Sequence, residues 1–299
     1  MSGVARCVWM AGTALGEGPV WDDRESCLWF VDIKQSRLHR FEPLANAATI
    51  YDLDGSPSFV LPAAEGGLLI GNGHELVHWR AGQHLVLATI PMRWGDRMND
   101  ATVGPDGRVW FGSMDAGERD LTGCVRSFHA GRLRNEGLPA VITNGPAVSG
   151  DGRWLFHVDT VERKIWRVPL DADGVAGAAQ LFVQIDPADG NPDGVVLDAD
   201  EHLWVGLWGG WCVRRYAPDG TIADEIGLPC ANVTKLAFGG PDLRTAYVTT
   251  ARTGLGEDAI ARQPLAGGLF SFETEVPGRL LPLARLTNSR ALPSGLPES

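Results

Sequence analysis

Six short apolar triplets recur along this chain at nearly even intervals, and that recurrence restricts the fold more than any other feature. They are Leu28-Trp29-Phe30, Leu68-Leu69-Ile70, Val109-Trp110-Phe111, Leu155-Phe156-His157, Leu203-Trp204-Val205 and Ala246-Tyr247-Val248. Their central residues lie 40, 41, 46, 48 and 43 positions apart. A period of about 40–50 residues built on short strands marks a β-propeller, so six triplets predict six blades. Aromatic and β-branched residues suit a pleated, half-buried surface. A polar turn precedes four of the triplets: Asp22-Asp23-Arg24, Pro105-Asp106-Gly107, Gly150-Asp151-Gly152 and Asp198-Ala199-Asp200. Gly and Asp accept the positive φ of tight hairpins. The second unit is degraded, with Glu65-Gly66-Gly67 at its turn. The expectation is an all-β chain forming one six-bladed β-propeller over residues 1–286. A loose Pro/Ser-rich tail follows at 287–299, and one short helical turn falls within Gly256–Leu265.

The remaining composition excludes several function classes. An apolar content of 44% supplies a real core, and a net charge of −11 without any basic run argues against a nucleic-acid partner. No apolar run approaches the ~18 residues of a membrane span, and residues 1–9 lack a signal-peptide core. Five scattered cysteines without a C-x-x-C pair fit neither a zinc clip nor a disulfide framework. These features together predict a cytoplasmic location.

Polar signatures stand at a constant offset before the triplets. Glu17 lies 12 residues before Trp29, Asn99 11 before Trp110, Asn144 12 before Phe156 and Asp193 11 before Trp204. In the last unit Thr234 and Lys235 precede Leu236, which lies 11 before Tyr247. Equivalent offsets mean equivalent places in the blades. If the strand before each hairpin is innermost, these groups face one another across the channel mouth. Glu17, Asn144 and Asp193 then offer two carboxylates and an amide oxygen, hard donors suited to one divalent metal ion. Singly each also reads as a turn residue; the shared offset favours a central metal site. Asn99-Asp100 is the fourth such pair, open to ligation or to substrate contact. The histidines follow no metal-ligand spacing, and His157 in a strand triplet reads as a packed side chain. There is no Gly-x-Ser-x-Gly elbow and no phosphate loop.

With Leu15-Gly16-Glu17-Gly18-Pro19-Val20-Trp21, Asn99-Asp100, Phe111-Gly112-Ser113-Met114, Asn144-Gly145-Pro146 and Pro192-Asp193-Gly194 in this order, the chain resembles the SMP-30/gluconolactonase/regucalcin family of six-bladed propellers. Leu28–Lys34, Leu207-Trp208-Gly209-Gly210 and Asn232-Val233-Thr234-Lys235 are similar to the family's bacterial sugar-acid lactonases, which include xylonolactonase. The resemblance implies a divalent metal (Ca, Zn, Mn, Mg or Fe(II)) on Glu17, Asn144 and Asp193. It also implies substrate contacts from Arg97, Asn99 and Glu118.

The function so implied is metal-dependent hydrolysis of an aldonolactone, such as D-xylonolactone, L-arabinolactone or gluconolactone, to the aldonic acid. Asp193 is the favoured base and Asp100 the alternative. Arg97 offers a planar donor fork to ring or product oxygens. Trp94, Trp208 and Trp211 are candidates for stacking on the sugar. The alternatives are a non-catalytic metal-binding regulatory propeller and a hydrolase of aryl or phosphate esters. The expected partner is a small-molecule sugar lactone, without nucleic acid or membrane, and the oligomeric state stays open.

Overall fold

The computed structural model describes residues 4–80 and 82–286; the tail expected at 287–299 lies outside the described residues. Six four-stranded antiparallel sheets stand around one axis as a six-bladed β-propeller. Blades 1 to 5 cover residues 16–52, 57–89, 96–140, 143–184 and 191–227, each running from an innermost strand outward. Blade 6 takes three strands from residues 233–273 and its outermost from the other end of the chain. There Arg6–Trp9 pairs antiparallel with Leu269–Glu273. This pairing closes the ring by joining both ends of the chain in one blade. Trp9 stacks on Phe41 with centroids 6.1 Å apart, tying the closing strand to blade 1.

The triplets sit on the second strand of each blade, and their alternation explains their composition. Successive side chains of a strand point to opposite faces, and here both faces are buried against neighbouring blades. Trp29, Leu69, Trp110, Phe156, Trp204 and Tyr247 each pack toward the following blade. Leu28 and Phe30 pack back toward blade 6, and Val109 and Phe111 toward blade 2. The apolar core is therefore six wedges, one per seam. His157 is packed as expected; it is buried, and burial pushes its imidazole down to about 4, so the ring is neutral at pH 7.

Glycines follow the triplet where the next blade's innermost strand comes close. At Gly206 a methyl group would run into the Thr234 carbonyl, and at Gly112 into the Thr143 side chain. The far end of the channel is crossed by residues 278–286. Gly278 bridges to Asp198 and Ala284 to Ala63, while the Arg285 amide donates to the Gly107 carbonyl at 3.0 Å. Leu281 packs on the wedges of blades 1, 2 and 3 beneath the axis. The expected helical turn is Glu257–Arg262, in a loop of blade 6. No helix among the described residues is long and apolar enough to cross a membrane.

Because Gly206 abuts rigid backbone, Gly206→Ala is expected to destabilise the fold by about 1–3 kcal/mol, the usual range for overpacking. Urea unfolding followed by tryptophan fluorescence measures it; an unchanged midpoint would mean the seam can yield.

Candidate active site

Each innermost strand carries one extra residue near its start. Three residue steps from Glu17 to Val20 span the interval that two steps cover on the partner strand, and the same holds from Met98 to Ala101, Asn144 to Ala147, Pro192 to Val195 and Val233 to Leu236. Blade 2 is bulged between Pro57 and Phe59. A bulge bends a strand and re-aims its side chains. Here the polar signatures lie at or within the bulges. The strands otherwise alternate between two apolar seams, so the bulge is what turns polar groups inward to the axis.

Those groups meet at the floor of a cavity of about 450 Å³. Glu17, Asn99, Asn144 and Asp193 line it together with Arg97, Glu118, Thr160, Arg163, Lys34 and Trp208. Arg97 Nη1 donates to Asn99 Oδ1 at 2.7 Å, and Asn99 Nδ2 donates to Asn144 Oδ1 at 2.7 Å and to the Thr143 carbonyl at 2.8 Å. Asn144 Nδ2 then donates to Thr160 Oγ1 at 3.0 Å. The Thr160 hydroxyl gives its one proton to the Pro192 carbonyl at 2.9 Å, so toward Asn144 it can only accept. This chain sets both amide orientations and turns Asn144 Oδ1 away from Thr160, toward Asn99.

The floor is electrostatically costly without a cation. Burial, aided by Asp100, pushes the Glu17 carboxyl up to about 8 against the opposing pull of Lys235, the Gly18 amide and Arg97. Burial, then Glu17 and Asp100, raises Asp193 well above the usual carboxylate range. Asp193 Oδ1 is buried with no hydrogen-bond partner. Buried polar atoms are normally satisfied, so an orphan needs an explanation. Two desolvated carboxylates, an oriented amide oxygen and an orphaned oxygen fit a hard divalent cation held by Glu17, Asn144 and Asp193. Among the described residues, no three His, Cys, Asp or Glu side chains form a group that could hold a metal ion.

Several sequence candidates take other positions. Asp100 lies below the cavity lining, where Lys235 Nζ donates to both its carboxylate oxygens at 2.7 Å. Both side chains of that pair are buried. Glu118 reaches the cavity wall from the loop after Val109–Asp115 and faces Arg97. Asp115 builds that loop. Its oxygens accept the amides of Gly117, Arg119 and Asp120, and these bonds, with lesser help from Arg93, hold its carboxyl down to about 2. Trp208 lines the cavity, whereas Trp94 and Trp211 are exposed outside its lining. Sequence reasoning missed Thr160 and the pairing of Lys235. Lys235 had a legible signal, since it stands in the blade 6 bulge at the offset of the other polar groups. Thr160 had a weaker one, following the strand-ending Asp159 of a repeated Asp32/Asp159 position.

Residues 15–252 match the family described as the SMP-30/Gluconolactonase/LRE-like region. The chain belongs to this family. Among relatives of the SMP-30/gluconolactonase protein described here, 6-deoxy-6-sulfogluconolactonase of Pseudomonas putida is 34% identical over 290 residues, 95% of this chain and 99% of the relative. L-arabinolactonase of Azospirillum brasilense is 32% identical over 271 residues, 88% of this chain and 90% of the relative. The crystal structure of the calcium-binding protein regucalcin from Agrobacterium tumefaciens superimposes with a TM-score of 0.90 at 30% identity, covering 95% of this chain and 98% of that one.

Two outcomes are expected for this SMP-30/gluconolactonase propeller. Lys235→Met strands the Asp100 carboxylate in the interior and should cost about 3–5 kcal/mol, while Asp100→Leu with Lys235→Met should recover most of it. Urea unfolding of both variants checks this, and a mild effect of Lys235→Met alone would mean water reaches Asp100. The second outcome concerns pH. Without a cation, the folded pKa of Glu17 of about 8 exceeds its ordinary 4.5, so between these values the folded state binds the extra proton and stability falls as pH rises. Chelator-treated protein should therefore unfold at lower urea at about pH 8 than at about pH 6, and a divalent cation should offset the loss. A flat or rising profile in chelator-treated protein would contradict it.

Proposed function

We propose that this propeller is a divalent-metal-dependent hydrolase of sugar-acid lactones, opening the ring to the aldonic acid. The observation that carries the reading is Asp193. A buried carboxylate with an unpartnered oxygen stands beside Glu17 and Asn144 at the floor of a cavity walled by Arg97 and Asn99. The named lactonases among the relatives, aligned over most of their length, support the reaction class.

Glu17, Asn144 and Asp193 would hold the cation, which when bound supplies Lewis-acid polarisation of the lactone carbonyl and acidifies water. The rest is work for the chain's own groups. Asp193 accepts the proton of the water that adds to the carbonyl carbon, and that proton returns to the ring oxygen as the C–O bond breaks. Asp100 is less suited to this role, because Lys235 engages both its oxygens. Among the described residues only Nη1 of Arg97 is bonded within the protein, so the rest of its fork is available to sugar or product oxygens. The Arg, Asn, Glu and Thr side chains of the lining, beside Leu15, Met114, Ile142, Val161 and Trp208, offer a polyhydroxyl ligand the hydrogen-bond partners that an aryl ester does not need. Candidate substrates are D-xylonolactone, L-arabinolactone and gluconolactone.

Acid release from these lactones, corrected for spontaneous opening, should vanish in chelator-treated protein and return with one of Fe(II), Mn, Zn, Mg or Ca. Asp193→Ala should lower the rate by roughly 10²–10⁴-fold, as loss of a general base does, and should also lower bound metal. Normal turnover and metal content in that variant would overturn the assignment.

A further inference from the structure

The donor set mixes two kinds of oxygen, and they differ in what they need from the protein. Glu17 and Asp193 are carboxylates, each with two equivalent acceptor oxygens. Asn144 is an amide, with one acceptor oxygen and a donor nitrogen that would oppose a cation if the group turned over. A carboxylate serves a cation in either orientation, whereas an amide serves it in one. Among the three, orientation has to be imposed on Asn144 alone.

Blades 1 and 4 match residue for residue around their donors. In blade 1 Glu17 pairs with Val31 and Gly16 with Asp32; in blade 4 Asn144 pairs with Val158 and Thr143 with Asp159. The next residue is anchored in the same way in both. The Ile33 amide donates to the Leu15 carbonyl at 3.0 Å, and the Thr160 amide to the Ile142 carbonyl at 3.2 Å. Ile33 and Thr160 are thus equivalent, yet the first is a buried aliphatic side chain and the second carries a hydroxyl. The framework accepts an apolar residue at this point, so no blade needs the hydroxyl in order to form. The apolar residue stands on the blade whose donor is a carboxylate, and the hydroxyl on the blade whose donor is an amide.

The hydrogen bonds around Asn144 have fixed directions. Arg97 can only donate, and the Thr143 and Pro192 carbonyls can only accept, so the relay between them runs one way. Asn99 turns Oδ1 to Arg97 and Nδ2 to Asn144. Thr160 gives its proton to Pro192 and accepts from Asn144 Nδ2 at 3.0 Å. A turned-over Asn144 amide would set its nitrogen against Asn99 Nδ2. Among the described residues Asn144 Oδ1 accepts from Asn99 alone, so its second lone pair is free for a cation. Pro192 immediately precedes Asp193, so the same hydroxyl also ties blade 4 to the backbone beside another donor.

We propose that Thr160 is a positioning residue of the cation site, its hydroxyl deciding which atom of the Asn144 amide is presented to the ion. It acts through Asn144 and not by contact with the cation. The proposal deepens the metal-dependent reading and rests on it for Glu17, Asn144 and Asp193 as donors.

Calorimetric titration of chelator-treated protein with Mn²⁺ alone tests it, without substrate. Thr160→Val and Thr160→Ala remove the hydroxyl, and Thr160→Ser keeps it. Loss of an outer hydrogen-bond partner commonly weakens a metal site by about 10–100-fold, so the Mn²⁺ dissociation constant should rise by about tenfold or more in the Val and Ala variants. In Thr160→Ser it should stay near the wild-type value. Val keeps the side-chain shape and Ala relieves crowding, so a folding defect in one, seen in its metal-free urea midpoint, leaves the other to be read. Equal weakening in Thr160→Ser and Thr160→Val would place the effect in packing and overturn the proposal. Wild-type affinity in the Val and Ala variants, beside lost binding in Asn144→Ala, would leave the cation site standing and sink the role of Thr160 alone. A wild type that takes up no Mn²⁺ would overturn the proposal together with the metal-dependent reading. Hydroxyl-dependent Mn²⁺ binding supports the role even if no lactone is opened, in which case the lactonase reading fails by itself.

Discussion

Every innermost strand opposes its neighbour with one residue too many, and this repeated bulge is the constraint on which the site depends. A regular strand in a propeller alternates its side chains between two blade seams, and both seams here are apolar. Polar groups placed on such a strand would be driven into a seam, where they would be desolvated without partners. The extra residue breaks the alternation near the start of each strand and directs one or two side chains to the axis instead. Ring closure by Arg6–Trp9 then brings six such positions to one mouth. Glu17, Asn99, Asn144 and Asp193 come from four blades, and the cavity forms where they converge.

The charges gathered there are held in two layers. Below, Lys235 and Asp100 form a buried pair that neutralises itself. Above, Glu17 and Asp193 are desolvated and repel each other, opposed by Lys235 from below and by Arg97 within the cavity. Such an arrangement opposes folding at neutral pH and favours the binding of a hard cation for the same reason. The amide relay from Arg97 through Asn99 and Asn144 to Thr160 adds direction to this attraction. The Thr160 hydroxyl can only accept from Asn144, so the Asn144 amide is oriented by the protein alone. Preorganisation of this kind is what a polarising site needs.

The blade count, the strand order and the polar ring were legible because they are written as spacing. Triplets about 40–48 residues apart and offsets of 11 or 12 need no knowledge of contacts. Even the degraded second unit obeys the plan: it keeps the bulge, with Ser58 where the other blades carry larger polar groups. The partnerships were not legible. Asp100 and Lys235 are 135 positions apart, and Asn99 and Asn144 are 45 apart. Nothing local distinguishes a carboxylate that pairs with a lysine from one that stays open. Trp94 shows the same limit, since an aromatic residue three positions before Arg97 lies outside the cavity and exposed to solvent. The repeat also hid the closing strand, because Arg6–Trp9 completes a blade whose other strands lie at the opposite end of the chain.

By itself, the sequence determined the architecture and the donor types, because periodicity, turn chemistry and side-chain identity are local properties. It placed two carboxylates and two amides at equivalent points of a closed repeat, and the family motifs followed the same order. Only the tertiary structure decided which carboxylate is engaged and which is open, and which amide oxygen faces the axis. Those outcomes depend on distances between blades and on exclusion of water from the axis, and both arise only when the ring closes.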